Sequence, residues 1–148
     1  MQTKRELTAP CGIDCFNCQI YKDVITDEFK NKLAVAYGIA PKNIPCSGCR
    51  ALKGTRVAFD TRQVFTCDTY TCVTDRGHEF CFECADFPCN RLQPTADRAE
   101  TFPHNMKVFN LCRMKAVGPE KWAEEEAALI RLKYYKGKLV IGKGPVIE

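Results

Sequence analysis

The residues of this chain whose type and spacing could do chemistry are its cysteines, eleven in 148 residues. Cys15-Phe-Asn-Cys18, Cys46-Ser-Gly-Cys49 and Cys81-Phe-Glu-Cys84 are C-x2-C pairs, and Cys67 and Cys72 frame a slightly wider one. Such a pair suits a tetrahedral metal, because a tight turn brings both sulfurs to one side while backbone N–H groups face their negative charge. Ten of the thiols, Cys11 to Cys89, fall in one stretch, and only Cys112 lies outside it.

The ligands group in more than one way. Cys46-x2-Cys49-x17-Cys67-x4-Cys72 lies close to the usual two-pair zinc spacing, which leaves Cys15, Cys18, Cys81 and Cys84 as a second site; this grouping is preferred. The rival joins Cys15 and Cys18 with Cys46 and Cys49, and Cys67 and Cys72 with Cys81 and Cys84. Loop entropy does not separate the two: the longer closure costs only about 0.7 kcal/mol more. Cys11 and Cys89 remain as alternate ligands, part of a third site, or buried thiols. The expected cofactor is zinc, two ions, with an iron–sulfur cluster as the alternative, since both take four cysteines.

Other chemistry is thinly provided for. Cys11-x3-Cys15-x2-Cys18 has the spacing of the radical S-adenosylmethionine cluster motif, but those enzymes need a partial or full barrel, and this chain spends its length on other pairs and on helices. Ser47 is the only serine and sits inside a knuckle. His78 and His104 read as a loop and a helix-entry residue, and Cys112, on the apolar side of a helical pattern, reads as a buried structural thiol. The cysteine excess argues against an open catalytic metal position.

A formal charge of +4 would invite a nucleic-acid partner. Two zinc ions on eight thiolates add −4, giving +4 − 4 = 0. Lys42, Arg50, Lys53, Arg56, Arg62 and Arg76 lie near ligand pairs, where they would offset thiolate charge, and no aromatic residues alternate with them as a stacking platform requires. Apolar runs fall far short of the roughly 20 residues needed to span a bilayer. The segment before Cys11 has no room for the apolar core of a signal peptide, so the expected location is cytoplasmic. In a reducing compartment dense cysteines indicate metal rather than disulfides.

The positioning elements follow from periodicity. Tyr21, Ile25, Phe29, Leu33 and Tyr37 draw a helical stripe that Gly38 ends, with Thr26 and Asp27 as capping side chains at a joint. Arg56–Phe59 and Gln63–Thr66 read as short strands, the second leading into Cys67. Met106, Val108, Phe109, Leu111 and Cys112 mark a helix; Gly118-Pro119 stops it and starts another. That last helix, Trp122 through Tyr135, should turn inward Trp122, Leu129 and Leu132 and the line Ala123, Ala127, Ile130 and Tyr134. The tail from Gly137 to Gly142 reads as a strand or a disordered end. Asp14–Cys18 and Phe80–Cys84 echo each other.

Taken in order, Cys11-Gly-Ile-Asp-Cys15-Phe-Asn-Cys18, Ile44-Pro-Cys46-Ser-Gly-Cys49-Arg50, Cys67-x4-Cys72 and Phe80-Cys81-Phe-Glu-Cys84-Ala-Asp-Phe87-Pro88-Cys89 form a pattern that resembles the domain of unknown function 3795 family of bacterial and archaeal cysteine-rich proteins. The resemblance covers residues 8 to 92. Where that family often carries Ile-Arg between the wider pair, this chain has Asp68-Thr69-Tyr70-Thr71. The resemblance implies metal binding and no particular activity.

The expectation is a small α+β fold: a loop-rich, metal-stabilised cysteine domain over residues 1–92 with short strands, and a helical extension over 93–148 packed on it. Its function is that of a zinc-binding protein with structural sites, an interaction or regulatory module for an unidentified protein partner. The alternative is an iron–sulfur protein for electron transfer or redox sensing.

Overall fold

The computed structural model describes residues 1–148 and is a mixed α+β fold, as its patterning predicts. Helix α1 (Lys4–Leu7) is short and held by a reciprocal cap between Thr3 and Glu6. Helix α2 (Asp27–Tyr37) starts where Thr26 Oγ1 accepts the Phe29 N–H at 3.2 Å and ends at left-handed Gly38. The cap truncates the expected stripe. Tyr21, one of its members, is buried in a turn before the helix, and within α2 only Ala34 is fully buried.

Strands β1 (Thr55–Val57) and β2 (Val64–Thr66) pair antiparallel, with Arg56 opposite Phe65. Directly after them comes α3 (Asp68–Asp75), which the sequence pattern did not announce. Its Thr, Tyr, Cys and Val residues are indifferent helix formers, so local propensity is silent there. The helix forms because Cys67 enters it in an extended conformation, Asp68 faces its positive end, and Thr69 and Val73, one turn apart, are both buried.

Helix α4 (Lys107–Val117) buries Lys107, Asn110, Leu111 and Met114, and this corrects the face expected from apolar spacing. Phe109 and Cys112 point to solvent. The polar Asn110 turns inward because its Nδ2 donates to the Gly12 carbonyl at 2.8 Å. Gly12 makes the approach possible: at φ +88°, an added Cβ would lie 2.9 Å from both Leu111 Cγ and the Lys107 carbonyl.

After Gly118, α5 (Pro119–Lys121), a π-helical turn (Trp122–Glu126) and α6 (Ala127–Lys136) run on as one rod. Trp122, Ala123 and Ala127 are buried and Ile130 packs beside them. Leu129 and Leu132 are exposed, against expectation. A wider turn changes the rotation per residue, so a uniform 3.6-residue period misplaces the side chains beyond it. The tail closes as a hairpin of β3 (Lys138–Val140) and β4 (Gly144–Val146).

One apolar core collects both halves of the chain. Phe16, Val73, Phe80 and Leu92 pack with Leu111, Met114, Trp122, Ala123 and Ala127, and Phe16 meets Trp122 edge-on at 6.4 Å. No helix is long and apolar enough to cross a membrane.

Candidate metal centre

The two echoing segments fold alike. In the first, the N–H groups of Asn17, Cys18 and Tyr21 donate to the carbonyls of Asp14, Cys15 and Cys18; in the second, those of Glu83, Cys84 and Phe87 donate to Phe80, Cys81 and Cys84. Each pair of cysteines thus straddles a single 3-10 turn, Cys15–Asn17 or Cys81–Glu83, and the residue after each turn is extended. This is the tight turn that presents two sulfurs together.

The first turn meets the second C-x2-C pair through backbone bonds. Cys46 N–H donates to Ile20 C=O at 2.7 Å and Cys46 C=O accepts from Lys22 N–H at 2.9 Å, so Tyr21 and Cys46 form a parallel bridge. Gly48 N–H lies 3.4 Å from Cys46 Sγ, and the Cys49 backbone is near enough to the Cys15 thiol to oppose the effect of burial on it. Burial pushes the Cys15 thiol up to about 12, with Cys11, Cys18 and Cys46 adding to the rise. These four cysteines are therefore neighbours, as in the rival grouping.

Gly54 recruits Cys67. Its N–H donates to the Cys49 carbonyl at 3.0 Å and its own carbonyl accepts the Cys67 N–H at 2.9 Å. Tyr70 covers the glycine, 2.6 Å from where a Cβ would stand. Cys49 is raised by burial and then by Cys11, Cys15 and Cys67. Cys67 consequently sits with the first group.

Cys72 goes elsewhere for a geometric reason. Five residues along a helix amount to about 140° of net rotation, so a thiol at the entry of α3 and one on its second turn face different ways. Cys72 lines a cavity of about 260 Å³ together with Cys81, Cys84 and Cys89. Burial pushes Cys81 up to about 12, helped by Cys11, Cys89, Cys72 and Cys84. Cys67 therefore lies near Cys49, while Cys72 lies with Cys81, Cys84 and Cys89, a division that follows neither grouping drawn from spacing.

Cys11 stands between the groups, its thiol raised by burial and close enough to feel Cys67 and to influence Cys15, Cys49 and Cys81. A backbone bond from Cys81 N–H to Pro10 C=O, 2.9 Å, holds the third pair to this loop. Cys112 is exposed on α4.

Arginines do more specific work than charge balance. Arg50 donates to the carbonyls of Thr8 and Glu79 at 2.7 and 2.9 Å and lies over the Phe80 ring, stitching three segments together next to Cys49. Arg62 instead donates to the carbonyls of Tyr37 and Gly38, at the end of α2. Arg76 reaches a sulfur: its Nη1 donates to Cys84 Sγ at 2.9 Å and to Asp86 at 2.6 Å. The bond of Arg131 to Asp14 went unread in the sequence, because nothing local marks a partner so far along the chain.

The donor set is all sulfur, gathered from separate segments and met by N–H donors, which is the chemistry that zinc and iron–sulfur clusters take. The side chains are not drawn tightly inward: no three His, Cys, Asp or Glu side chains form a group that could hold a metal ion as they stand. N–H groups reach sulfur in both groups: Gly48 N–H lies against Cys46 Sγ and Arg76 Nη1 against Cys84 Sγ.

In comparisons with known proteins, the model of a family described as "Protein of unknown function (DUF3795)" matches residues 7–94, more than half of the chain. No curated protein and no solved structure matches.

Proposed function

Because the chain belongs to the DUF3795 family, a membership that brings no activity with it, we propose its function from the thiols: it is a metal-binding protein in which Cys15, Cys18, Cys46 and Cys49 hold a structural zinc ion. The observation that carries this reading is the Tyr21–Cys46 bridge, which sets two C-x2-C turns side by side. Cys11 and Cys67 flank that set and supply replacement thiolates. Four sulfurs would close the coordination sphere, so the zinc holds structure and activates no water.

The role is interaction or regulation in the cytoplasm rather than catalysis. Supporting it, the β1–β2 hairpin is tied to this group through Gly54 and presents Val57, Val64 and Phe65 to solvent. Metal analysis of the full chain tests the zinc assignment. Zinc near one ion per chain that disappears in Cys46→Ala and Cys49→Ala supports it; wild-type protein without zinc, or zinc indifferent to both substitutions, overturns it.

A further inference from the structure

The second group of thiols differs from the first in what it surrounds. Cys72, Cys81, Cys84 and Cys89 come from three places, α3, the second 3-10 turn and the residue before the 3-10 turn Asn90–Leu92, and all face the cavity of about 260 Å³. We propose that these four cysteines are a separate centre for an iron–sulfur cluster, with Arg76 as the residue that tunes its reduction potential. The proposal shares with the zinc reading only the premise that clustered thiols bind metal, and it needs no zinc in the first group.

Size is the first argument. A tetrahedral zinc ion with bonds of about 2.3 Å draws its sulfurs to about 3.8 Å from one another and fills the space between them. Thiols spread around a cavity of this volume would have to collapse onto such an ion. A cluster, whose ligand sulfurs bind separate iron atoms across a core of iron and sulfide, fits a cavity of this size lined by four cysteines.

The frame resists collapse. Cys81 lies in the apolar core beside Phe80, which is fully buried and stacked on Phe82 at 5.5 Å. Helix α3, which carries Cys72, is anchored by Val73 in that same core and by Thr69 Oγ1 donating to the Arg91 carbonyl at 3.1 Å. Two walls of the cavity are therefore fixed by core packing, Cys81 itself on one and Val73 beside Cys72 on the other. Drawing all four sulfurs onto one ion would disturb close-packed side chains.

Electrostatics supply the second argument. Four thiolates are a concentration of negative charge, and Arg76 is already in place against it, its Nη1 donating both to Cys84 Sγ and to the Asp86 carboxylate, which lies 3.9 Å from that sulfur. Hydrogen bonds to ligand sulfur stabilise the more negative, reduced state of a cluster and raise its potential. Cys89 is exposed, so this centre lies within reach of a reductant or an oxidant in solvent.

The test uses the full chain, prepared anaerobically and reconstituted with ferrous iron and sulfide in the presence of zinc. Expected are bound iron and sulfide in near-equal amounts and a broad visible absorption, both abolished in the Cys84→Ala, Cys89→Ala double variant. That variant should keep its zinc and wild-type circular dichroism, and Cys112→Ser should behave as wild type. A variant that loses its fold would not decide between roles, so Arg76→Gln provides the independent readout: cluster content retained and the reduction potential shifted to a more negative value.

A colourless reconstituted protein, absorption that survives the double variant, or a second zinc ion lost with Cys89 in place of iron would overturn the cluster assignment. An unshifted potential in Arg76→Gln would overturn the tuning role. Loss of zinc in Cys46→Ala with the cluster intact would separate the fate of the two readings.

Discussion

Arg131, on the last helix, forks onto the carboxylate of Asp14, its Nε and Nη2 lying 2.8 and 2.5 Å from the two oxygens. Asp14 is 1% exposed and sits between Cys11 and Cys15 in the loop that begins the first thiol group. It also accepts from Asn17 Nδ2 and pairs with Thr8 across an antiparallel bridge. The C-terminal helix therefore holds the first cysteine loop by a charge pair of bidentate geometry. Removing one partner of a buried pair leaves the other charge without compensation, at a cost of about 3–5 kcal/mol.

Arg131→Met should accordingly lower the stability of the chain by roughly 3 kcal/mol and speed the loss of zinc to a chelator. Denaturant unfolding and the rate of chelator competition measure the two effects. A variant with unchanged midpoint and unchanged release rate would show that the pair is idle.

Gly54→Ala should be harmful out of proportion to one methyl group. The residue has φ +73° and the new Cβ would fall 2.6 Å from Tyr70 Cγ, while the same residue bridges Cys49 and Cys67. A loss of about 1–3 kcal/mol is expected from strain alone, seen as a lower unfolding midpoint. Tyr70→Ala in the same chain should recover part of it, and absence of any recovery would place the strain elsewhere.

Metal removal should unfold the cysteine-rich region. Structural zinc contributes an apparent ~10–16 kcal/mol in small domains, comparable with the whole ~5–15 kcal/mol stability of an ordinary one. Circular dichroism before and after verified chelation reads this directly, and an unchanged spectrum of the metal-free chain would contradict it.

His104 gives a pH dependence that is independent of the thiols. Burial holds its pKa below the ordinary histidine value, and Lys107 adds to the depression; its Nδ1 is buried without a hydrogen-bond partner. The folded state therefore binds the proton less readily than the unfolded chain. Its contribution to stability is present above the unfolded pKa of about 6.5 and is lost as the pH falls from there through the depressed folded value. The difference in unfolding free energy between wild type and His104→Gln should narrow over that acid range, and a pH-independent difference would refute the assignment.

Cys112→Ser should change neither metal content nor stability beyond about 0.5 kcal/mol, since the side chain is exposed and away from both groups. A measurable loss of metal would return Cys112 to the ligand set.

Much of this protein is legible in its sequence, and the reasons are local. The C-x2-C turns, the Thr26 cap, the Gly38 stop, the β1–β2 hairpin and the kinship of Asp14–Cys18 with Phe80–Cys84 each depend on residues within a few positions of one another. Short-range hydrogen bonds and backbone preference decide such features. The clustering of thiols in one stretch, and with it the family, belongs to this class.

The tertiary structure alone decided which thiols meet. Cys67 and Cys72 are close in sequence and part because a helix that propensity does not favour rotates the second away from the first. Cys89 joins Cys72, and Arg131 finds Asp14, because the shared core of Phe16, Val73, Phe80, Leu111 and Trp122 folds the segments that carry them together. Loop closure depends only weakly on length, so spacing could not choose among the groupings. The packing of that core could, because close-packed side chains admit few arrangements.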